Sequence, residues 1–281
     1  MYRLRVGASI AYFNRSALTV RAAFEKDLDD LQRLGFDCLD LDLCTIYDRD
    51  MILQSHSLIP KAFEMIQKRE IRLNGVHLPF GGHRDYSALD KEYQKNLMND
   101  TVEMLQIINE FQPYCYIIHG SAEPIKKDTR TDKLRMLSET LAELSAYTDK
   151  YICVENLPRT CLLNTVQEHI SVIDAANKPN IKACCDVNHF LHEKAEDALM
   201  QLGDRVKTLH ISDHDYIDER HVLPKDGKID WMKLIAALEK IGYQGVFNYE
   251  IAREINEYVF YTLTDIKRNF DELFEEYNQK K

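Results

Sequence analysis

The sequence predicts a (β/α)8 barrel, and three observations carry that prediction. Short apolar runs alternate with longer amphipathic segments along all 281 residues. Glycine or proline stands at most of the joints, where helices stop and strands begin. Four chemically demanding residues, Glu155, Asp186, His210 and Glu250, close successive apolar runs at intervals of 31, 24 and 40 residues. A barrel of ~250 residues with eight units has about 31 residues per unit, so these residues fall one unit apart.

The elements follow in order. Residues 4–10 read as the first strand and 18–34 as a helix stopped by Gly35. The second strand covers 38–43, with a helix over 58–69 after it. The third strand, 72–78, leads through a Gly81-Gly82 loop to a helix at 91–111. Pro113 restarts the chain into a strand at 114–119, followed by a helix at 131–148 and the fifth strand at 151–155. A helix at 165–176 ends near Pro179, which introduces the strand at 181–186. The helix at 194–202 stops at Gly203 and the seventh strand runs 206–212. A long polar loop precedes a helix at 231–241, with Asp230 as its N-cap. Gly242 and Gly245 bracket the turn into the strand at 246–251, and 256–277 reads as the last helix. Parallel strands need crossover helices, and eight such units close on themselves. Residues 1–281 contain no linker, low-complexity stretch or short repeat, so one domain is expected.

Composition narrows the function. The chain is 45% hydrophobic and 29% charged, the balance of a globular protein with an ample core. No apolar run reaches the ~18 residues of a membrane helix. The first six residues enter a strand-like run with no signal-peptide core behind them, so a cytoplasmic protein is expected. Seven cysteines form no Cys-x-x-Cys pair, and Cys115, Cys153, Cys184 and Cys185 lie in apolar runs, where reduced cysteine packs as a small hydrophobe. A net charge of −10 repels phosphate backbones and weighs against nucleic acid as a partner.

Each of the four run-closing residues is an expensive placement, because it ends a strand that is apolar on both faces. In a barrel, groups at the C-terminal strand ends converge in one bowl. Three carboxylates and one imidazole make a largely oxygen site suited to one divalent ion: Mn2+ by preference, with Mg2+, Co2+ or Zn2+ as alternatives. A metal also lets several carboxylates share close quarters without becoming neutral. A lone strand-end Glu is more often a salt bridge or cap, and a lone His a satisfied core group; four correlated positions argue otherwise.

Further residues share the logic. His77 and His119 close the third and fourth strands, where they are placed to contact substrate oxygens or a second metal, or to serve as structural groups. Asp40 sits on the second strand with a solvated cap as its alternative. His189 lies one helical turn beyond Asp186 if the chain curls there. The loop after the seventh strand is dense in charge. His214, Asp215 and Asp218 read as solvated, whereas Arg220 and His221 suit hydroxyl or phosphate oxygens if the loop folds over the bowl.

The motifs His-Leu-Pro at 77–79, Glu-Asn at 155–156, Asp-Val-Asn-His at 186–189, His-Ile-Ser-Asp at 210–213, Arg-His-Val-Leu-Pro at 220–224 and Gly-Lys-Ile-Asp-Trp at 227–231, together with Glu250, span most of the chain. In them the sequence resembles the xylose-isomerase-like barrel superfamily of sugar isomerases and epimerases, which also contains endonuclease IV. The resemblance implies one catalytic metal on Glu155, Asp186, His210 and Glu250. It also implies an acid–base pair of Glu155 and Glu250, with His189 on the substrate's oxygens.

Such a metal stabilises an enediolate as an α-proton leaves, and the paired glutamates move that proton. The expected activity is therefore isomerisation or epimerisation of a small sugar, sugar acid or polyol derivative, with dehydration through the same enediolate as a variant. Paired subunits, common in the family, would make this a homo-oligomer.

Endonuclease IV is the alternative. Its multi-zinc site maps onto His77, His119, Glu155, Asp186, His189, His210, His221 and Glu250, with Glu219 where that family has Asp. The acidic charge and the sugar-enzyme character of residues 223–231 favour the first reading. One departure from the 3-epimerases stands out: Tyr216 occupies the place of their substrate-binding arginine, for which Arg220 is the nearest substitute.

Overall fold

The computed structural model describes residues 1–11, 17–43, 49–82, 84–252, 254–256 and 259–281, and the side chains of all of these except 17–22, 49–57, 254–256 and 259. Its elements alternate as the apolar pattern requires. β1 (Arg5–Ala11), α1 (Ala17–Leu34), β2 (Cys38–Asp42), α2 (Arg49–Gln67), β3 (Arg72–His77), α3 (Lys91–Asn109), β4 (Cys115–His119) and α4 (Arg130–Leu144) form the first half. β5 (Tyr151–Glu155), α5 (Val166–Ala176), β6 (Ile181–Asp186), α6 (Ala195–Leu202), β7 (Val206–His210), α7 (Trp231–Lys240) and β8 (Val246–Tyr249) follow. A short hairpin, β9 (Glu254–Asn256) and β10 (Val259–Phe260), precedes α8 (Leu263–Lys280).

The eight main strands run parallel in the order β7-β6-β5-β4-β3-β2-β1-β8. The seam between β7 and β8 is closed just past the strand ends. There the Ile211 amide donates to the Asn248 carbonyl at 2.8 Å and the Glu250 amide to the Ile211 carbonyl at 3.1 Å. The expected (β/α)8 barrel is therefore the fold. Helices cover the outer face; Phe270 and Phe274 of α8, for example, pack with ring centroids 5.9 and 5.3 Å from Phe247 of β8.

Two helix starts differ most from the sequence expectation. The last helix begins at Leu263 rather than at 256, because Thr262 and Asp265 form a capping box. The Thr262 hydroxyl accepts from the Asp265 amide, and the Asp265 carboxylate accepts from the Thr262 amide. α2 starts at Arg49, well before residue 58, and carries Pro60 in its interior. Proline removes one helical hydrogen bond, and burial of Ile59, Ala62, Phe63 and Ile66 against the barrel offsets that loss.

Candidate metal and active site

The strand ends deliver what the apolar runs were built around. Glu155, Asp186 and His210 are the last residues of β5, β6 and β7, and Glu250 directly follows β8. One donor atom from each lies within 4.8 Å of the others. Nδ1 of His210 is 3.1 Å from Oε1 of Glu155 and 3.3 Å from Oε2 of Glu250. Asp186 is oriented by Asn156, whose side-chain amide donates to the Asp186 carbonyl and whose Oδ1 accepts the Asp186 amide, both at 2.8 Å. That reciprocal pair explains the Glu-Asn motif.

His77 and His119 end β3 and β4, with Nε2 3.3 and 3.4 Å from Oε2 of Glu155. Beyond β6 the chain makes a single 3-10 turn, Val187–His189, in which Asp186 Oδ1 accepts from the Asn188 amide at 2.7 Å. The turn swings His189 back, so that its Nε2 lies 3.3 Å from Asp186 and 3.0 Å from Glu219. Asn188 Oδ1 accepts the Arg220 amide at 3.1 Å, tying the β7–α7 loop to this turn.

Three imidazoles share one design. His77 Nδ1 donates to the Leu78 carbonyl and His189 Nδ1 to the Asn156 carbonyl, both at 2.8 Å. His221 Nδ1 reaches the Glu250 carbonyl at 3.3 Å. A carbonyl only accepts, so each Nδ1 holds its proton and each Nε2 faces a carboxylate. That contact is favourable only with a proton or a cation between them.

The electrostatics agree. Burial pushes the Glu155 carboxyl up, but His210 and His119 outweigh it and hold it well below the usual range. Burial likewise opposes, and His210 overrides, at Glu250, which is also held low. At Asp186 burial prevails, aided by Glu155 and Glu250 against His189, and the carboxyl rises to about 7. Burial disfavours charge on the imidazoles, yet Glu155 brings His77 to about 9, Asp186 and Glu219 bring His189 to about 10, and Glu219 brings His221 to about 9.

Glu155 Oε2, Asp186 Oδ2 and His210 Nε2 are buried without a hydrogen-bond partner among the described residues. Unpaired buried carboxylate oxygens are costly. A divalent cation amid three carboxylates and an imidazole would satisfy both carboxylate oxygens, so the donor set fits one.

A cavity of about 350 Å3 opens above these groups, bordered by His119, Glu155, His189, Glu219, His221 and Glu250. Phe80 forms one wall, stacked on the His119 ring at 4.1 Å. The guanidinium at the rim belongs to Arg159, which the sequence reading did not single out. It pairs with Glu123, Asp218 and Glu219 at 3.1, 3.0 and 2.6 Å. Arg220, expected over the bowl, instead turns to Asp215 at 2.7 Å and is about half exposed. Of the three residues read as solvated in that loop, Asp218 is exposed, Asp215 is half-buried and His214 is buried.

Asp213 was visible only as part of a motif, and it organises the whole loop. Buried completely, it accepts from the His214, Lys225 and Ile229 amides and from Nε1 of Trp231, at 2.8, 2.9, 3.1 and 2.7 Å. Asp230 caps α7 as expected, accepting from the Lys233 amide.

A family profile described as xylose isomerase-like TIM barrel matches residues 28–272. The chain belongs to that family. Among curated relatives of this xylose isomerase-like barrel, a D-psicose 3-epimerase of Enterocloster bolteae is 24% identical over 86% of this chain and 80% of its own length. An inosose isomerase of Bacillus velezensis is 24% identical over 86% of this chain and 88% of its own. The solved structure of the IOLI protein with a zinc atom superposes with a TM-score of 0.76 at 18% identity, covering 99% of each chain. At that identity the likeness speaks for the fold. No helix among the described residues is long and apolar enough to cross a membrane.

Proposed function

We propose that this chain is a divalent-metal-dependent isomerase or epimerase of a small sugar, sugar acid or polyol derivative. Glu155, Asp186, His210 and Glu250 hold the metal, and Glu155 and Glu250 exchange the proton. The observation that carries this reading is the convergence of those four donors within 4.8 Å of one another, with Glu155 and Glu250 lining a small-molecule-sized cavity. Relatives named as a psicose epimerase and inosose isomerases support it.

When bound, the ion supplies Lewis acidity to a carbonyl and its neighbouring hydroxyl, which acidifies the carbon between them. The residues do the rest. Both glutamates border the cavity and are held ionised, so one accepts the α-proton, and the other, once it has taken a proton from solvent or a substrate hydroxyl, returns one. Return to the opposite face of the same carbon gives an epimer, and return to the next carbon an isomer. His189, its Nδ1 fixed by Asn156, presents Nε2 to substrate oxygens. Phe80 and His119 wall off water on one side.

The test is solvent deuterium exchange into a panel of ketoses and inososes with Mn2+ present. Incorporation that Glu155→Gln abolishes is expected. Absence of exchange across the panel, or exchange indifferent to that substitution, rules the mechanism out, and loss of a hydroxyl in place of exchange identifies a dehydratase.

A second reading has its own observation. Two further ligand groups, His77–Glu155–His210 and His189–Glu219–His221, flank the first. Three bound metals would suit an endonuclease IV-like phosphodiesterase, and elemental analysis of the purified protein separates the two: one metal per chain against three.

A further inference from the structure

Beneath the four-donor shell lies a carboxylate that the proposed chemistry leaves idle. Asp40 of β2 is 1% exposed, so it is no solvated cap. Its Oδ1 accepts from Nδ2 of Asn74 and from the Gly75 amide, each at 2.7 Å. Its Oδ2 has no hydrogen-bond partner among the described residues, and neither has Nε2 of His210. The two atoms face each other at 3.9 Å. That gap is too long for a hydrogen bond and too short to admit a water between them. The atoms are complementary in one arrangement of the neutral ring, with the proton on Nε2. The opposite nitrogen, Nδ1, is the one beside Glu155 and Glu250.

The placement of Asp40 is braced from across the barrel. Nδ2 of Asn74 also reaches Oγ1 of Thr208 at 3.2 Å, two residues before His210 on β7. Gly75 provides the room, since a Cβ there would stand 2.8 Å from Asp40 Oδ2.

We propose that Asp40 is the positioning carboxylate of His210: its unpaired Oδ2 faces Nε2, favours the ring that keeps its proton there, and so leaves Nδ1 free for a divalent metal. The inference rests on the four-donor metal reading above. Partners of this kind behind a ligating histidine typically change metal affinity by ~10–100-fold when removed.

The full chain, stripped of metal, is titrated with Zn2+ against a chromophoric chelator, as wild type and as Asp40→Asn. Asparagine preserves the oxygen that Asn74 and Gly75 need but turns an amide donor toward Nε2, which favours the wrong tautomer. The Kd for Zn2+ is expected to rise ~10–100-fold. Long-range 1H–15N spectra of the Zn2+-loaded wild type, with His210 assigned by its loss in His210→Gln, are expected to place the proton on Nε2. That spectrum reads which nitrogen the metal takes; in Zn2+-loaded Asp40→Asn the Nε2 proton loses its carboxylate acceptor, so its signal is expected to move upfield, which a purely structural role for Asp40 would not cause. Equal Zn2+ affinity in Asp40→Asn, or a wild-type ring protonated on Nδ1, overturns the inference. A wild type that binds no Zn2+ overturns the four-donor reading itself.

Discussion

Glu219 stands between the cavity rim and the metal shell: its Oε2 lies 3.0 Å from Nε2 of His189, while its Oε1 accepts from Nη1 of Arg159 at 2.6 Å. Arg159 therefore acts on the site through Glu219 and His189. It joins three loops, by way of Glu123 after β4, its own segment after β5, and Asp218 and Glu219 after β7.

Replacement of Arg159 by alanine should accordingly separate stability from function. The guanidinium is 39% exposed, and exposed ion pairs contribute ~0–1 kcal/mol. The melting temperature should hardly move. Freed from Arg159, Glu219 no longer fixes His189, so substrate positioning suffers and KM should rise several-fold more than kcat falls. Steady-state kinetics on the substrate found by isotope exchange, alongside a thermal melt, measure both. A large fall in stability would contradict the assignment.

Glu155 occupies the opposite extreme. Four imidazoles, those of His77, His119, His189 and His210, lie 3.1–3.5 Å from its two oxygens. Glu155→Gln removes a ligand charge and a proton carrier together. Metal content should fall below one per chain, and turnover should drop by ~10²–10⁴, the usual contribution of a general acid or base. Unchanged metal content with intact turnover would remove Glu155 from both roles.

Much of this architecture was legible in the sequence because strand ends are costly places for charge. Glu155, Asp186, His210 and Glu250 stood out as polar residues closing apolar runs, and the barrel's geometry then required them to meet. Arg159 was not legible, since a loop arginine carries no periodic signal and its three partners come from distant segments. Arg220 misled for the opposite reason: its neighbour Asp215, five residues away, captures it locally. For Asp40, exposure decides between cap and core, and exposure follows from the register of β2 against β3, set by Gly75 and Asn74, rather than from the local pattern. The β9–β10 hairpin was missed because strands of three and two residues are too short to show alternation.

Asp213 should prove a structural carboxylate of the loop that presents Glu219 and His221. Asp213→Ala leaves the Ile229 amide and Trp231 Nε1 without their acceptor, at ~1–3 kcal/mol for each buried unpaired donor. Gly227→Ala attacks the same contact from the other side. Its Cβ would stand 2.3 Å from Asp213 Oδ1 and 2.5 Å from the His214 carbonyl, and the latter is backbone that cannot yield. Both variants should lose at least ~2 kcal/mol in urea unfolding, near the upper range for single substitutions. A Gly227→Ala midpoint equal to wild type would show that the loop can open without cost.

His169, which is not among the proposed metal ligands, predicts an acid-sensitive fold. On α5 and fully buried, it donates from Nε2 to the Val154 carbonyl at 2.8 Å, and its Nδ1 has no hydrogen-bond partner among the described residues. Burial lowers its pKa from 6.5 to about 4, against the pull of the Val154 carbonyl. The unfolded chain therefore takes up a proton near pH 6.5 that the folded chain refuses until about pH 4. Stability from this residue is present above the first value and is lost as pH falls toward the second, at no more than ~1.4 kcal/mol per pH unit. His169→Gln preserves an N–H for Val154 and removes the titration. Measured by denaturant unfolding of the metal-free protein between these limits, the wild type should lose ~2–3 kcal/mol more than the variant. Parallel curves would mean that His169 is protonated as readily inside the fold as outside it.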